Sequence, residues 1–135
     1  MTHVGSTEDE PGIVTKISPR SVSETVSRFV EILNSKGVKL FGVIDQSEEA
    51  REVGLTLRET TLVMFGNPRA GTPVMVASPL SALDLPLKLL IWADGQQTKV
   101  SYYSPSSLAS RHHLDDQLAA GIAAIDVLSD TLVAD

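Results

Sequence analysis

The sequence predicts an α+β domain in which helices pack against a single sheet. Strand-like and helix-like segments are mixed along the chain, and two of the apolar segments are joined by an Asp94-Gly95 hairpin turn. The 135 residues correspond to one domain by size, and a composition of 42% hydrophobic and 21% charged residues is ordinary for a soluble globular protein.

The N-terminal part of the chain predicts a tail, a strand and a long helix. Residues 1–10 are polar and acidic, so we expect a disordered tail before a single domain at residues 11–135. Residues 12–18 alternate apolar and polar side chains, which is typical of a half-buried strand. A capping box of Ser21 and Glu24 begins the helix. Its apolar face consists of Val22, Val26, Phe29, Val30 and Leu33.

The middle of the chain predicts two strands separated by a short helix. Residues 38–45 are apolar on both faces, so this strand is expected at the centre of the sheet or covered on both sides. Asp45 or Ser47 is expected to cap a short helix over residues 48–53. Residues 59–65 are rich in β-branched side chains and predict the next strand.

A cluster of glycine and proline residues follows this strand. Residues 66–71 favour a turn, after which Thr72 is expected to cap a helix that has Pro73 at its first position. This helix is expected to be short or kinked, because Pro79 and Pro86 interrupt the segment.

The last third of the chain predicts two hairpin strands and a second long helix. The strands are expected at residues 87–93 and 98–103, with the turn at residues 94–97. Residues 104–114 are expected to form a connection. The helix is then expected to start near Asp115 and to bury Leu118, Ile122, Ile125, Leu128 and Leu132.

Charge and composition exclude several classes of function. A net charge of -6 and a pI of about 4.9 disfavour binding to nucleic acid or to an anionic membrane. The absence of cysteine excludes disulfides, thiolate metal sites and cysteine nucleophiles. No apolar stretch approaches the roughly 20 residues of a membrane helix, and residues 1–10 lack the apolar segment of a signal peptide. We therefore expect a cytoplasmic location.

The loop after the third strand is the first candidate site. It combines two glycines, an asparagine, an arginine and a helix start, and backbone amides at a helix start attract anions. The candidate ligand-binding residues here, for a phosphate, a carboxylate or a similar group, are Asn67, Arg69, Gly71 and Thr72. The alternative is a tight turn whose glycine and asparagine residues supply special backbone angles. The Gly-Lys-Ser/Thr ending of a Walker loop is missing.

Asp84, Lys88, Arg111 and His112 are further candidates for ligand binding. In an extended chain Asp84 and Lys88 share one side, where they can act as acid, base or ligand clamp. The alternative is that Asp84 caps a turn and Lys88 is solvated. Histidine titrates near neutral pH, so His112 can act as an acid or base, or it is a solvated or helix-capping residue. No metal-ligand spacing is present, so we expect no metal and no other cofactor.

Three motifs together resemble the bacterial and archaeal family called domain of unknown function 302. They are Phe65-Gly66-Asn67-Pro68, then Gly71-Thr72-Pro73 with Met75, and Asp84-Leu85-Pro86-Leu87-Lys88. The resemblance covers nearly the whole domain and implies a curved, mostly antiparallel sheet with two main helices, in the order β-α-β-β-β-β-α, similar to the TATA-box-binding-protein-like fold. It also implies a homodimer. The name of the fold does not imply that this chain binds DNA, because function resides in sites and not in folds. This chain has Gln46 where the family often has a histidine, so acid–base or metal chemistry at that position is in question.

These observations lead to three hypotheses of function. The favoured one is a homodimeric module that binds a small anion or metabolite in a sheet-lined pocket near the candidate residues. The second is an architectural or protein-interaction domain without a ligand, in which a leucine series forms a seam: Leu83, Leu85, Leu87 and Leu89. The third, placed last, is an acid–base enzyme that uses Asp84, Lys88 and His112.

Overall fold

A five-stranded sheet forms the centre of the computed structural model, which describes residues 11–135. The strands are β1 (Ile13–Ser18), β2 (Lys39–Asp45), β3 (Thr60–Gly66), β4 (Leu87–Asp94) and β5 (Gln97–Tyr103). Their order across the sheet is β1-β5-β4-β3-β2, and every neighbouring pair is antiparallel. The predicted α+β fold with a mostly antiparallel sheet is confirmed. The tail predicted for residues 1–10 lies outside the described residues.

Helices follow or connect the strands throughout the chain. They are α1 (Val22–Ser35), α2 (Gln46–Glu52), α3 (Pro68–Ala77), a 3-10 helix (Pro79–Leu83), α4 (Pro105–Arg111), α5 (Asp116–Ala120) and α6 (Ala124–Val133). The two main helices of the prediction are α1 and α6. They pack against each other, α1 on β2, β3 and β4 and α6 on β1. No helix among residues 11–135 has the length and apolar character that crossing a bilayer requires.

The core lies between the sheet and helices α1 and α6. Helix α1 begins with the predicted capping box, in which the Ser21 side chain accepts from the Glu24 amide and Glu24 accepts from the Ser21 amide. Phe29 of α1 meets Phe65 of β3 edge to face, with ring centroids 5.1 Å apart. The fully buried side chains around them include Leu33, Val63, Leu89, Ile91, Val100, Ile125 and Leu132.

Strand β2 corrects one prediction. It is an edge strand, and Phe41 and Val43 are 47% and 44% exposed, so the prediction of a central or doubly covered strand is wrong. The misleading sequence pattern comes from a β-bulge, seen as a shift of register between Leu40 and Gly42. Such a bulge breaks the alternation of side chains between the two faces. Apolar residues on both faces therefore reflect the bulge and not a covered strand.

Helix α3 starts earlier than predicted. Asn67 is its N-cap and Pro68 holds the first helical position, so the prediction of Thr72 as cap and Pro73 as first residue is wrong. Both dipeptides carry the same signal of a capping residue followed by proline. The chain uses the first of them, and Pro73 lies inside the helix.

The C-terminal part contains one more helix than predicted and a break. Residues 104–114 were expected to form a connection, but Ser104 caps α4 and Pro105 begins it. The last helix is capped by Asp115 as a short α5 and resumes as α6 after residues 121–123. Its inward residues are buried or packed against the core as predicted: Leu118, Ile122, Ile125, Leu128 and Leu132.

Candidate functional site

The candidate site residues do not lie in one place. A first group lines a cavity beside α3: Asn67, Gly71 and Thr72. A second group is joined by hydrogen bonds: Asp84, Arg111 and His112. Lys88 lies on the face of the sheet opposite the core, and Arg69 is exposed at the start of α3. The structure therefore does not bring these residues together in one pocket.

The cavity beside α3, called here the α3 cavity, measures about 300 Å³ and is mostly apolar. Its walls come from four parts of the chain, with Phe41 from β2, Met75 from α3, Leu85 and Pro86 before β4, and Ile122 after α5. Sequence reasoning identified the α3 residues but missed Phe41 and Ile122. These two come from distant segments, and no local pattern places them beside α3.

The amides at the start of α3 are already hydrogen-bonded. The Asn67 side-chain oxygen accepts from the Arg69 amide at 3.0 Å. The Asn67 backbone oxygen accepts from the amides of Ala70 and Gly71 at 2.9 and 2.8 Å. Pro68 has no amide hydrogen. An anion placed here would find no free backbone donor in the first turn, so the local geometry supports the capped turn more than the predicted anion site.

Asp84 joins the 3-10 helix to α4. Its Oδ2 atom is 2.6 Å from Nε2 of His112 and accepts from the Arg111 guanidinium at 3.1 Å. Burial alone would raise the pKa of Asp84, but the hydrogen bonds from His112 and Arg111 outweigh burial and hold the pKa below its ordinary value. Asp84 is therefore a carboxylate with two partners, and Lys88 is neither of them.

The surroundings of Asp84 and His112 leave little room for a substrate. The cavity that these two side chains line with Ser81 measures about 10 Å³, which is about the volume needed for one water molecule. The Ser81 hydroxyl is buried and has no hydrogen-bond partner among the described residues. A water molecule in this space would satisfy it. The Asp84–His112 pair has the contact that acid–base chemistry needs, but Lys88 does not belong to it.

Lys88 lies on the open face of the sheet. Its neighbours Leu87 and Leu89 are buried in the core, and strand side chains alternate, so Lys88 points to the opposite face. It is half-buried, and it forms no ion pair or side-chain hydrogen bond within residues 11–135. Lys88 therefore offers a cation that the described part of the fold does not use.

The cavity around Lys88, called here the sheet-face cavity, measures about 360 Å³. Its walls all belong to strands, and they include Ile13, Leu62, Lys88, Leu90, Ser101 and Tyr103. The Arg111 guanidinium lies 5.6 Å from the centre of the Tyr103 ring, so a second cation is close to the rim. An apolar floor with one central cation and hydroxyl groups beside it can hold a molecule that has an apolar body and an anionic group.

Lys16 is a buried lysine that the sequence did not single out. It is 5% exposed on the core face of β1. Its ammonium group donates to Ser129 at 2.6 Å and pairs with Asp130 at 2.8 Å, both in α6. Burial alone would lower the pKa of Lys16, but the bonds to Asp130 and Tyr102 outweigh burial and raise it. The ammonium group of Lys16 is thus bonded to side chains of α6. These bonds hold α6 against the sheet and leave the ammonium group occupied.

Residues 11–135 contain no group of three or more His, Asp or Glu side chains arranged to hold a metal ion. The carboxylates near the candidate residues are paired with protein cations instead, as Asp84 is with Arg111.

Comparison with known proteins gives a family and a fold. A family model described as "Domain of unknown function DUF302" matches residues 14–132. The crystal structure of an uncharacterized conserved DUF302 protein from Bacillus stearothermophilus aligns with a TM-score of 0.77 at 22% identity, covering 92% of this chain and 97% of that one. That likeness confirms the fold.

Two curated relatives are named as channels. Proteins called fluoride-specific ion channel FluC 1 from Brucella suis and Brucella abortus are each 39% identical to this chain over 106 residues. The matched region is 78% of this chain but 42% and 39% of those two proteins. The chain thus spans about two fifths of the length of the curated relatives that it matches.

Proposed function

The chain belongs to the DUF302 family, and we propose that in this member the domain is a homodimeric module that binds a small organic anion at Lys88. The observation that carries the proposal is the half-buried side chain of Lys88, which lines a cavity of about 360 Å³ and whose ammonium group has no ion pair or side-chain hydrogen bond within residues 11–135. Holding a cation against apolar neighbours without a counter-charge costs free energy. A bound anion would recover that cost.

The surroundings of Lys88 favour an organic anion over a small inorganic one. Leu62, Leu90 and Ile13 form an apolar floor, and the lining also contains the hydroxyl-bearing side chains of Ser101 and Tyr103. A small, strongly hydrated anion needs several donors to replace its water, whereas an apolar body gains from contact with the floor. A carboxylate on an aliphatic or aromatic body therefore fits this cavity best.

The anion has to be attracted locally. The chain carries a net charge of -6, so its overall field repels anions. Lys88 and Arg111 oppose this field near the cavity, although Arg111 is already paired with Asp84. Binding should therefore weaken strongly when Lys88 loses its charge and only slightly when a paired lysine does.

The test is isothermal titration calorimetry with benzoate, octanoate and inorganic phosphate. Benzoate or octanoate should bind the native protein. Lys88→Met keeps an unbranched side chain but removes the charge, and it should weaken binding about 10-fold or more, the usual scale for a lost charge-assisted hydrogen bond. Lys99→Met is the matched control, because Lys99 lies on the same sheet face but is paired with Asp94 at 2.7 Å. No binding at millimolar carboxylate, or an equal loss in both variants, would contradict the proposal.

A second candidate function comes from the channel-named relatives. Because proteins named fluoride-specific ion channels contain a region 39% identical to this chain, the domain can serve in handling fluoride. Sodium fluoride added to the same titration separates the two candidates. Heat with fluoride that Lys88→Met leaves unchanged, together with no heat from the carboxylates, would favour the second candidate over the first.

A further inference from the structure

The α3 cavity is formed by segments that the function proposed at Lys88 does not use. Each of the three sequence motifs, which are separated along the chain, contributes to its lining. In the order of the motifs, the contributions include Gly66 and Asn67, Gly71 and Met75, and Leu85 and Pro86. The α3 cavity shares no lining residue with the sheet-face cavity. Its volume of about 300 Å³ is at the lower end of the range of ligand pockets.

Gly71 of α3 is explained neither by the backbone nor by packing. It lies inside the helix, where glycine is less favourable than alanine, and its φ lies outside the left-handed region that requires glycine. Outside α3, the nearest described atom to a Cβ added here would be Cδ1 of Leu85 at 3.9 Å, an ordinary van der Waals distance. An alanine would therefore fit and would stabilise the helix. It would also take space from the α3 cavity, which Gly71 lines.

Gly66, the last residue of β3, follows the same pattern, whereas Gly121 does not. A Cβ at Gly66 would meet Phe41 at 3.7 Å and Pro86 at 3.8 Å, again ordinary distances. Glycine weakens a strand and often marks a place where a ligand approaches the backbone. At Gly121 a Cβ would lie 3.2 Å from two backbone carbonyl oxygens, so close packing explains that glycine. Two of the three glycines in the lining thus provide space that the fold itself does not need.

The lining also determines the class of ligand. None of its described side chains is charged, so an ion bound here would lose hydration without gaining a counter-charge. The ring of Phe41 and the thioether of Met75 are groups that pack well against an aromatic ring. The polar side-chain groups of the lining are the hydroxyl of Thr72 and the amide of Asn67, whose oxygen caps α3 and whose NH2 group is a donor.

We infer that the α3 cavity binds an uncharged aromatic molecule of one or two rings that carries a hydroxyl or carbonyl group. Its rings fill the space beside Gly66 and Gly71, and its polar group bonds to Asn67 or Thr72. This ligand class differs from the organic anion proposed for Lys88, so the inference goes beyond the proposed function and can be tested separately from it.

The experiment compares 2-naphthol, which is uncharged at neutral pH, with 2-naphthoate, which has the same rings and a negative charge. NMR of protein labelled with 13C in its methionine methyl groups reports on both cavities. Met75 lines the α3 cavity, and Met64 lies opposite Lys88 in the neighbouring strand. We expect 2-naphthol to shift the Met75 signal saturably, and 2-naphthoate to bind there about 10-fold more weakly or less tightly still.

Substitutions at Gly71 separate the space of the cavity from the stability of the fold. Gly71→Leu should fill the cavity and weaken 2-naphthol binding about 10-fold or more. Ala77→Leu is the control at an exposed position of the same helix outside the lining, and it should leave binding unchanged. Gly71→Ala should weaken binding while raising the melting temperature by about 3 °C. A glycine that served only the fold would give the opposite change in melting temperature.

Four results would contradict the inference. The first is a Met75 signal that does not respond to about 1 mM 2-naphthol, and the second is equally tight binding of 2-naphthoate at Met75. The third is an equal loss of binding in Gly71→Leu and Ala77→Leu. The fourth is a lower melting temperature of Gly71→Ala, which would mean that the fold needs this glycine. Because the Met64 signal reports on the proposal at Lys88, either proposal can fail alone.

Discussion

Two lysines lie on opposite faces of the same sheet and differ in what surrounds them. Lys16 faces the core, is 5% exposed and has partners in α6 for its ammonium group, namely Ser129, Asp130 and the Asp126 carbonyl. Lys88 faces outward from β4 over an apolar floor and has no such partner within residues 11–135. A buried cation is stable only when it is paired, so Lys16 contributes to the stability of the fold. The ammonium group of Lys88 is not used by the fold and is available to a ligand.

The comparison shows why residue type alone does not mark a site. Both lysines occupy strand positions, and the sequence around each is mostly apolar. What separates them is whether carboxylate and hydroxyl groups arrive from another element. Helix α6 brings groups that bond the ammonium of Lys16, whereas no carboxylate or hydroxyl among the described residues bonds the ammonium of Lys88. Perturbation of each lysine should therefore affect a different property of the protein.

The largest expected effect on stability is that of Lys16→Met. It removes the interactions of a buried ammonium group with Ser129, with Asp130 and with the Asp126 carbonyl, and it should lower the free energy of unfolding by about 2 kcal/mol, the usual scale of hydrogen bonds to a charged group. Lys88→Met should change it by less than about 0.5 kcal/mol. Urea titration followed by circular dichroism measures both. A loss of equal size in the two variants would remove the distinction between the two lysines.

A smaller effect is expected at Asp84, where a partly buried carboxylate is held by a buried histidine and an exposed arginine. Asp84→Asn should cost about 1 kcal/mol at neutral pH, because the Arg111 pair is screened by water. Arg111→Gln is the control and should cost less, since it leaves the 2.6 Å contact between Asp84 and His112.

The Asp84 effect should depend on pH in one direction. Since its partners hold the pKa of Asp84 below the ordinary value, the carboxylate stabilises the fold fully above the unfolded pKa of about 3.9. That contribution is lost as pH falls through the lower pKa of the folded state. Urea titrations at pH 7, 4 and 3 should show the gap between native protein and Asp84→Asn closing on acidification. A gap that widens would contradict the geometry.

Much of the fold was predictable because its signals are local. The capping box of Ser21 and Glu24, the alternation in residues 12–18 and the β-branched side chains of residues 59–65 depend on residues close in sequence. The structure has α1, β1 and β3 at these places. The errors arise where a signal occurs twice or is broken. Asn67-Pro68 precedes Thr72-Pro73 as a helix start, and the bulge at Phe41 imitates a strand covered on both faces.

The candidate site was less predictable because it depends on contacts between distant segments. Asp84 and Lys88 are four positions apart, so the sequence suggested a pair. The 3-10 helix before β4 instead presents Asp84 to α4, and Lys88 follows the alternation of β4 to the open face. The burial of Lys16 could not be predicted from the sequence either, because its partners are more than a hundred residues away along the chain. Such pairings appear only once the sheet order is known.

An effect smaller than that at Asp84 is expected for Lys99→Met, which tests whether pairing on the open face contributes to the fold. Lys99 meets Asp94 at 2.7 Å and lies 5.6 Å from the centre of the Trp92 ring, but Asp94 is exposed. Exposed ion pairs contribute little and are screened by salt. The loss in urea titration should be well below that of Lys16→Met and should vanish near 1 M NaCl, whereas the Lys16→Met loss should persist because its ammonium is buried. If salt reduced both losses equally, burial would not be what distinguishes the two faces of the sheet.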